Sequence, residues 1–432
     1  MPSFRYILRL TIAFLSRFKA IIVIGIGLGV TIFLLLDFLL PKLTGVQTTR
    51  IGLSGRFTSS TLPINIQEMI GDGLTALDKN GNVIPNLAIS WDTPDKGKTW
   101  VFKIKQGVKW QDGSLVVSKN FNYQFTDASV SYPDNQTIVF TLQNAYSAFP
   151  SVVARPIFRS GLLGTGEWKV SNLSLVGDFV DQITLGNNKD QKIIYKFYPT
   201  EERLKLAFEL GEVDVASDLL DPSPLNSWPK VKVKETTDMG EYVAVFFNTG
   251  DKLFADKSLR QALSYATKKE NLGGVRAISP IPETSWAYNP QVKQYTYDPV
   301  KAKTMIKDNN SITLTTSPLL LPQAELIQKD WEAVGVKTSL QVISNVPTNY
   351  QALLAIFDAP EDPDQYSIWH STQTQTNITH YGSPRIDKLL EDGRTTINQE
   401  DRKQIYLDFQ RFLVEDSPAI FLYYPTTYSV AR

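Results

Sequence analysis

From Ala20 to Leu40 the chain reads AIIVIGIGLGVTIFLLLDFLL, and its one charge, Asp37, stands near the far end. As a helix rising about 1.5 Å per residue, such a run is about 30 Å long, the thickness of a bilayer's hydrocarbon core. No polar face interrupts it, unlike the half-apolar helix of a soluble core. Arg5, Arg9, Arg17 and Lys19 precede it, so the positive-inside rule leaves a basic leader, 1–19, in the cytoplasm and the rest of the chain outside. The run is longer than a signal-peptide core and no Ala-x-Ala-like site follows, which predicts an uncleaved signal anchor at 20–40 inserted in the lipid bilayer. Residues 41–47 then read as a linker.

Beyond the linker the periodicity changes. From Thr48 to about Gln143 strand and turn patterns dominate. Trp100, Phe102 and Ile104 alternate with Val101, Lys103 and Lys105, as do Ile138, Phe140 and Leu142 with their neighbours, the signature of half-buried strands. Asp78-Lys79-Asn80-Gly81-Asn82 holds the Asn-Gly pair of a tight hairpin turn. Its D-x-N-x-N spacing is that of a calcium loop, but glycine falls at the fourth position and no glutamate closes the loop, so the turn reading prevails. Helical stripes follow: Leu204, Ala207 and Phe208 before Gly211; Leu259, Ala262, Leu263 and Ala266 with Asp256 or Ser258 as cap; Ala324, Ile327, Trp331 and Val334 before Gly335; and Ile405, Tyr406, Phe409, Phe412 and Leu413 before Pro418. Strands alternating with such helices predict α/β lobes with mixed sheets.

Charge and composition narrow the functional classes. The chain is neutral overall, but residues 1–47 carry five basic side chains and one acidic, so the body is mildly acidic. That disfavours a nucleic-acid partner, which needs a basic face. Without cysteine there are no disulfides, thiolates or thiolate metal sites. Leu43-Thr44-Gly45 is similar to the start of a lipoprotein box, yet Val46 stands where the lipidated cysteine belongs. No H-E-x-x-H, G-x-S-x-G or G-x-x-x-x-G-K-[ST] motif occurs, and His370 and His380 are the only histidines, which argues against an enzyme and predicts no cofactor. The glycine-rich stretch Gly161 to Gly166 leads into a strand-like segment, not a helix N-terminus, and makes a poor phosphate cradle.

The densest polar cluster is Asp358-Ala359-Pro360-Glu361-Asp362-Pro363-Asp364, flanked by Phe357, Tyr366, Trp369 and His370. It reads in three ways: a solvated acidic loop, a metal site completed by His370 or His380, or a loop that meets a cationic ligand between aromatic walls.

A set of segments then becomes specific. Val83-Ile84-Pro85-Asn86-Leu87-Ala88 to Trp91, Thr99-Trp100-Val101-Phe102-Lys103-Ile104 to Gly113, Gly164-Thr165-Gly166-Glu167-Trp168, Leu210-Gly211-Glu212-Val213-Asp214-Val215-Ala216, Leu259-Arg260-Gln261-Ala262-Leu263 and Trp331-Glu332-Ala333-Val334-Gly335-Val336 resemble, in order, the motifs of family 5 extracellular solute-binding proteins. These are the oligopeptide, dipeptide and nickel binding components of ABC importers. The resemblance implies a two-lobed periplasmic-binding-protein-like fold of the class II, cluster C type. Lobe I would span 48–246 with an extra subdomain at about 85–150, and lobe II 247–425. Residues 426–432 would begin a return to lobe I, truncated or lost. It implies Gly166, Tyr242 and Asn248 at the lobe crossover and capture of a peptide or similar solute by a monomer for a membrane permease. The ligand amino group would meet Asp358 or Asp362, the choice left open because Asp362-Pro363 comes one residue later than in the family motif. Tyr366, Trp369 and Trp286 would be walls. A nickel or metal-chelate binder, with no metal ligands assigned, and a tethered receptor without transport are the alternatives.

Overall fold

The computed structural model describes residues 17–21, 24–33, 35, 47–307, 310–343 and 349–432. Of the expected membrane span, residues 22, 23, 34 and 36–40 lie outside the described residues, as do 43–46. The remaining pieces, 17–21, 24–33 and 35, are helical. Among the described residues no helix is long and apolar enough to cross a membrane.

The body is built on four sheets, the smallest being the hairpin of Thr75–Leu77 and Val83–Pro85. In the first lobe seven strands lie in the order Lys232–Thr237, Thr426–Ala431, Val215–Leu219, Gln47–Ser54, Gln191–Tyr198, Phe179–Gly186, Lys169–Val176. Gln47–Ser54 pairs in parallel with both neighbours, the outer pairs are antiparallel, and the sheet is therefore mixed. In the second lobe six strands lie in the order Val275–Arg276, Ala419–Tyr424, Glu241–Phe247, Ala352–Asp358, Ser311–Thr316, Lys337–Val342. A four-stranded sheet from Ala88–Asp92, Thr99–Ile104, Thr137–Leu142 and Ala128–Asp134 forms a subdomain on the first lobe. The alternation of Trp100, Phe102 and Ile104 turns these side chains into the subdomain's own core with Phe140 and Phe149.

The chain passes between lobes twice. Asp238–Gly240 join Lys232–Thr237 to Glu241–Phe247, and Pro425 alone separates Ala419–Tyr424 from Thr426–Ala431. Asp238 N–H donates to Pro425 O at 2.9 Å, so the two passages are tied together. Three expectations are corrected here. The second lobe begins at Glu241, since Tyr242 already lies wholly buried in its central strand. Asn248 follows that strand, eight residues past Gly240, and its Nδ2 donates to Tyr350 O at 2.9 Å, so it belongs to the interior of the second lobe. Gly166 lies inside the first lobe: its N–H donates to Ile70 O at 2.9 Å, and a Cβ there would stand 2.5 Å from Met69 O. Close backbone packing requires glycine at that position, not hinge motion. The return strand doubted from sequence is present as Thr426–Ala431, with Val430 buried between the neighbouring strands.

The helical stripes pack as their spacing predicts. Leu259, Ala262, Leu263 and Ala266 are buried, and Asp256, not Ser258, caps the helix Lys257–Ala266 by accepting from Ser258 N at 2.8 Å. Residues 48–143 hold more than strand and turn, since Ile64–Ile70 is a short helix with Ile66 and Ile70 facing the core. The buried Arg260 explains its segment physically. Its guanidinium donates to Phe254 O at 2.6 Å and Asp416 O at 2.7 Å, with Nε at 3.2 Å from Ser417 O. It satisfies the orphan carbonyls, and meets the negative dipole end, of the helix Gln399–Asp416. Replacing Arg260 by Met removes these bonds and leaves buried carbonyls unpaired. A loss of about 2–4 kcal/mol in urea unfolding is expected, and a loss below about 1 kcal/mol would contradict this role.

Candidate functional site

A cavity of about 490 Å³ lies between the lobes. The first lobe supplies Ile64, Glu68, Asp72, Asn86 and Arg155, the crossover supplies Met239 and Gly240, and the second lobe supplies Pro282, Thr284, Ser285, Ala359, Pro360 and Glu361. The hairpin turn predicted at Asp78–Asn82 forms part of the wall. Asp78 Oδ1 accepts from the N–H groups of Asn80 and Asn82 at 2.8 and 2.9 Å, and Gly81 takes φ +76°, which the turn requires.

The crossover closes one border, and a seam of contacts between subdomain and second lobe closes another. Trp286 N–H donates to Asn80 O at 2.9 Å, and Gln399 Nε2 donates to Asn82 Oδ1 at 2.7 Å. Farther along, Ser147 N–H donates to Arg394 O at 2.6 Å and Ser147 Oγ to Gly393 O at 2.9 Å. The Arg394 guanidinium stands over the rings of Tyr146 from the first lobe and Tyr366 from the second, 4.9 and 4.2 Å from their centroids. Its Nε donates to Asp364 Oδ2 at 2.9 Å. A second cavity, of about 270 Å³, opens beyond Trp286 between Trp91, Trp100 and Arg402.

The residues singled out from sequence divide into those at the cleft and those in the core. Asp358 is exposed at the end of its strand opposite Glu241, one residue short of the cavity lining, and its carboxylate has no hydrogen-bond partner among the described residues. Asp362 is corrected as a ligand contact. It is 9% exposed, and both its oxygens accept from Arg402, Oδ2 from Nη1 at 3.0 Å and Oδ1 from Nη2. Burial disfavours the charged guanidinium, but the Asp362 carboxylate more than offsets that and raises the Arg402 pKa. Trp369 is also corrected: it is fully buried and packs between Phe246 and Phe421, away from the cleft. Tyr366 stacks on His370 and under Arg394, and Trp286 lines the smaller cavity.

Sequence reasoning passed over Glu68 and Arg155, and it included Glu361 in the acidic cluster without choosing it as the ligand-facing carboxylate. The extra residue between Asp358 and Asp-Pro was the available signal for Glu361. With Asp362 fixed by Arg402, the longer loop places Ala359, Pro360 and Glu361 in the cleft. His370 is buried, with Nδ1 at 2.8 Å from Thr372 Oγ1 and Nε2 at 3.4 Å from Glu391, and neither histidine lines the cavity. Among the described residues no group of three or more histidine, aspartate or glutamate side chains is placed to hold a metal ion.

Residues 82–377 match the family model of bacterial extracellular solute-binding proteins, family 5. The chain belongs to that family. It is similar to di/tripeptide-binding protein 1 of Pseudomonas aeruginosa, 24% identical over 84% of this chain and 85% of the relative. Oligopeptide-binding protein AppA of Bacillus subtilis is likewise 24% identical, over 86% of this chain and 84% of its own. Among solved structures, the ABC transporter substrate binding protein CtaP of Listeria monocytogenes superposes with a TM-score of 0.75 at 20% identity, covering 89% of this chain and 94% of that one. The likeness in three dimensions is one of fold.

In this solute-binding protein the Asp362–Arg402 pair fixes the loop that carries Glu361. Asp362→Ala leaves a buried guanidinium without its partner, so a stability loss of about 3–5 kcal/mol is expected in denaturant unfolding. A change of less than about 1 kcal/mol would mean that the pair does not anchor the loop.

Proposed function

We propose that this solute-binding protein is the capture component of an ABC importer, tethered outside the cytoplasm by residues 20–40, and that it closes its lobes around a short peptide for a membrane permease. The observation that carries the reading is the cleft of about 490 Å³ lined by both lobes and their crossover. Its size suits a drug-sized ligand. The relatives' names support a peptide, since one is called a di/tripeptide-binding and another an oligopeptide-binding protein.

The tether is supported by exposure as well as sequence. Ile21, Ile24, Ile26, Leu28 and Phe33 stand 60–68% exposed on helical backbone with no core against them. Apolar surface in water costs about 25 cal/mol per Å², which lipid removes.

Closure is a two-state balance. A ligand that touches both lobes favours the closed form, and moving the balance from 1:99 to 99:1 takes about a 10⁴-fold preference. Native mass spectrometry of the full chain in mild detergent is expected to reveal a co-purified peptide. Small-angle scattering is expected to show compaction when that peptide is added back to protein stripped of it. A verified ligand that leaves the scattering curve unchanged would remove closure from the mechanism.

The seam favours the closed form without touching the ligand. Arg394→Ala removes the contacts to Tyr146 and Asp364 and is expected to weaken the affinity for the same peptide by about five- to tenfold in calorimetric titration. Unchanged affinity would show that the seam does not bias the lobes.

A further inference from the structure

The cavity's charged lining is unbalanced. Glu68, Asp72, Asp78 and Glu361 are acidic, and Lys79 and Arg155 are basic. Two of the carboxylates are already used by the protein. Asp72 accepts from Thr165 Oγ1 at 2.8 Å and Asn86 Nδ2 at 3.2 Å, and Asp78 serves its own turn. Glu68 and Glu361 have no hydrogen-bond partner among the described residues, and they come from opposite lobes. Glu68 leaves the helix Ile64–Ile70 on the flank away from the buried Ile66 and Ile70. Glu361 rides on the loop anchored by Asp362 and Arg402.

We infer that the cleft selects a short ligand with net positive charge, whose cationic group sits between Glu68 of the first lobe and Glu361 of the second. The inference rests on the capture reading above and names the class of ligand. Its physical core is that closing the lobes brings two like charges together. Their repulsion opposes closure unless a cation stands between them or one of them takes a proton. A cation turns that repulsion into two charge-assisted bonds, one to each lobe, so the ligand's charge and lobe closure become one event. The length limit comes from the walls. The crossover residues Met239 and Gly240 line the cleft on one side, and the turn residues Lys79 and Gly81 line it on another. The space, about 490 Å³, is in the lower half of the range for small-ligand sites and suits about two or three residues.

A dependence on pH follows. Burial first, and the charge of Glu361 second, raise the Glu68 pKa above its ordinary 4.5. The other charged groups facing it in the cavity are Asp72, Asp78, Lys79 and Arg155. A cation binds the ionised form, so wherever Glu68 carries a proton in the free protein, that proton must leave as the ligand enters. Affinity therefore rises with pH until Glu68 is ionised in the free protein, and levels off above that point.

The test is calorimetric titration of the full chain in mild detergent with Gly-Leu amide, its N-acetylated form, a hexapeptide amide and cadaverine, a diamine without a peptide bond. The dipeptide amide is expected to bind at least tenfold more tightly than its neutral acetylated form and than the hexapeptide. Glu68→Gln and Glu361→Gln are each expected to weaken the dipeptide amide by about ten- to a hundredfold, the loss of one charge-assisted bond. They should leave the acetylated form within about twofold. Affinity for the amide should climb in the natural protein as pH rises through the titration of Glu68, above its ordinary 4.5, and the climb should be lost in Glu68→Gln. Equal binding of amide and acetylated forms, unchanged affinity in both variants, or a hexapeptide that binds as well as the dipeptide overturns the inference. Cadaverine separates the two readings. If it binds, is lost in the variants, and no peptide binds, the peptide reading falls and the cation site stands. If no cation binds at all, the cation site falls.

Discussion

The chain crosses between its lobes at Asp238–Gly240 and at Pro425, and a hydrogen bond from Asp238 N–H to Pro425 O holds the two crossings side by side. Two strands of one lobe thus continue directly into two adjacent strands of the other. Thr237 pairs with Thr426 below the crossing, and Val243 with Tyr423 above it. Such a double crossing resists sliding and twisting but can bend about a line through the few residues outside either ladder. Ala359 N–H donates to Gly240 O at 2.7 Å, so the acidic loop is attached at that line, where rotation moves it least. The seam through Ser147 and Arg394 lies between the subdomain and the second lobe, where a rotation about that line would move the two sides most.

This geometry decides how the acidic segment can be used. Asp362 is spent on Arg402 and Asp364 on Arg394, the first inside the second lobe and the second at its edge against the subdomain. Burying a carboxylate is tolerable only with such a partner. Glu361 and Glu68 form no ion pair among the described residues, which is why the proposed cation site falls to them. A segment that reads as one acidic cluster thus splits into an anchor, a seam member and a cleft carboxylate.

Much of the fold was legible because its signals are local. The alternation of Trp100, Phe102 and Ile104, the stripe from Leu259 to Ala266 and the Asn80-Gly81 turn each state which face is buried within a few residues. The short motifs of the family fixed the order of the elements around them. The site was less legible, because its geometry depends on partners far apart in sequence. Nothing near Asp362 announces Arg402, forty positions on, and without that pairing Asp362 and Asp358 look equivalent. Trp369 misled for a related reason. An aromatic beside an acidic loop reads as a wall, but its helix, Tyr366–Trp369, turns it onto Phe246 and Phe421 in the core. Gly166 misled because close packing and hinge freedom both call for glycine.

The position of the first strand gives the proposed tether a mechanical sense. Gln47–Ser54 lies within the first lobe's sheet, paired in parallel on both sides, and is the firmest place in that lobe to attach a load. Six residues, 41–46, separate it from the apolar run, and even fully extended they reach no more than about 20 Å. A tether that short would keep the first lobe close to the bilayer while the second lobe, continuous with it in chain at the double crossing, would carry the motion. Closure would then change the distance between a membrane-held lobe and a mobile one. A permease embedded in the same membrane can read that distance without the protein having to diffuse to it. An anchor of the proposed kind would replace a search in three dimensions by a movement about one axis, the pair of strands passing Asp238 and Pro425.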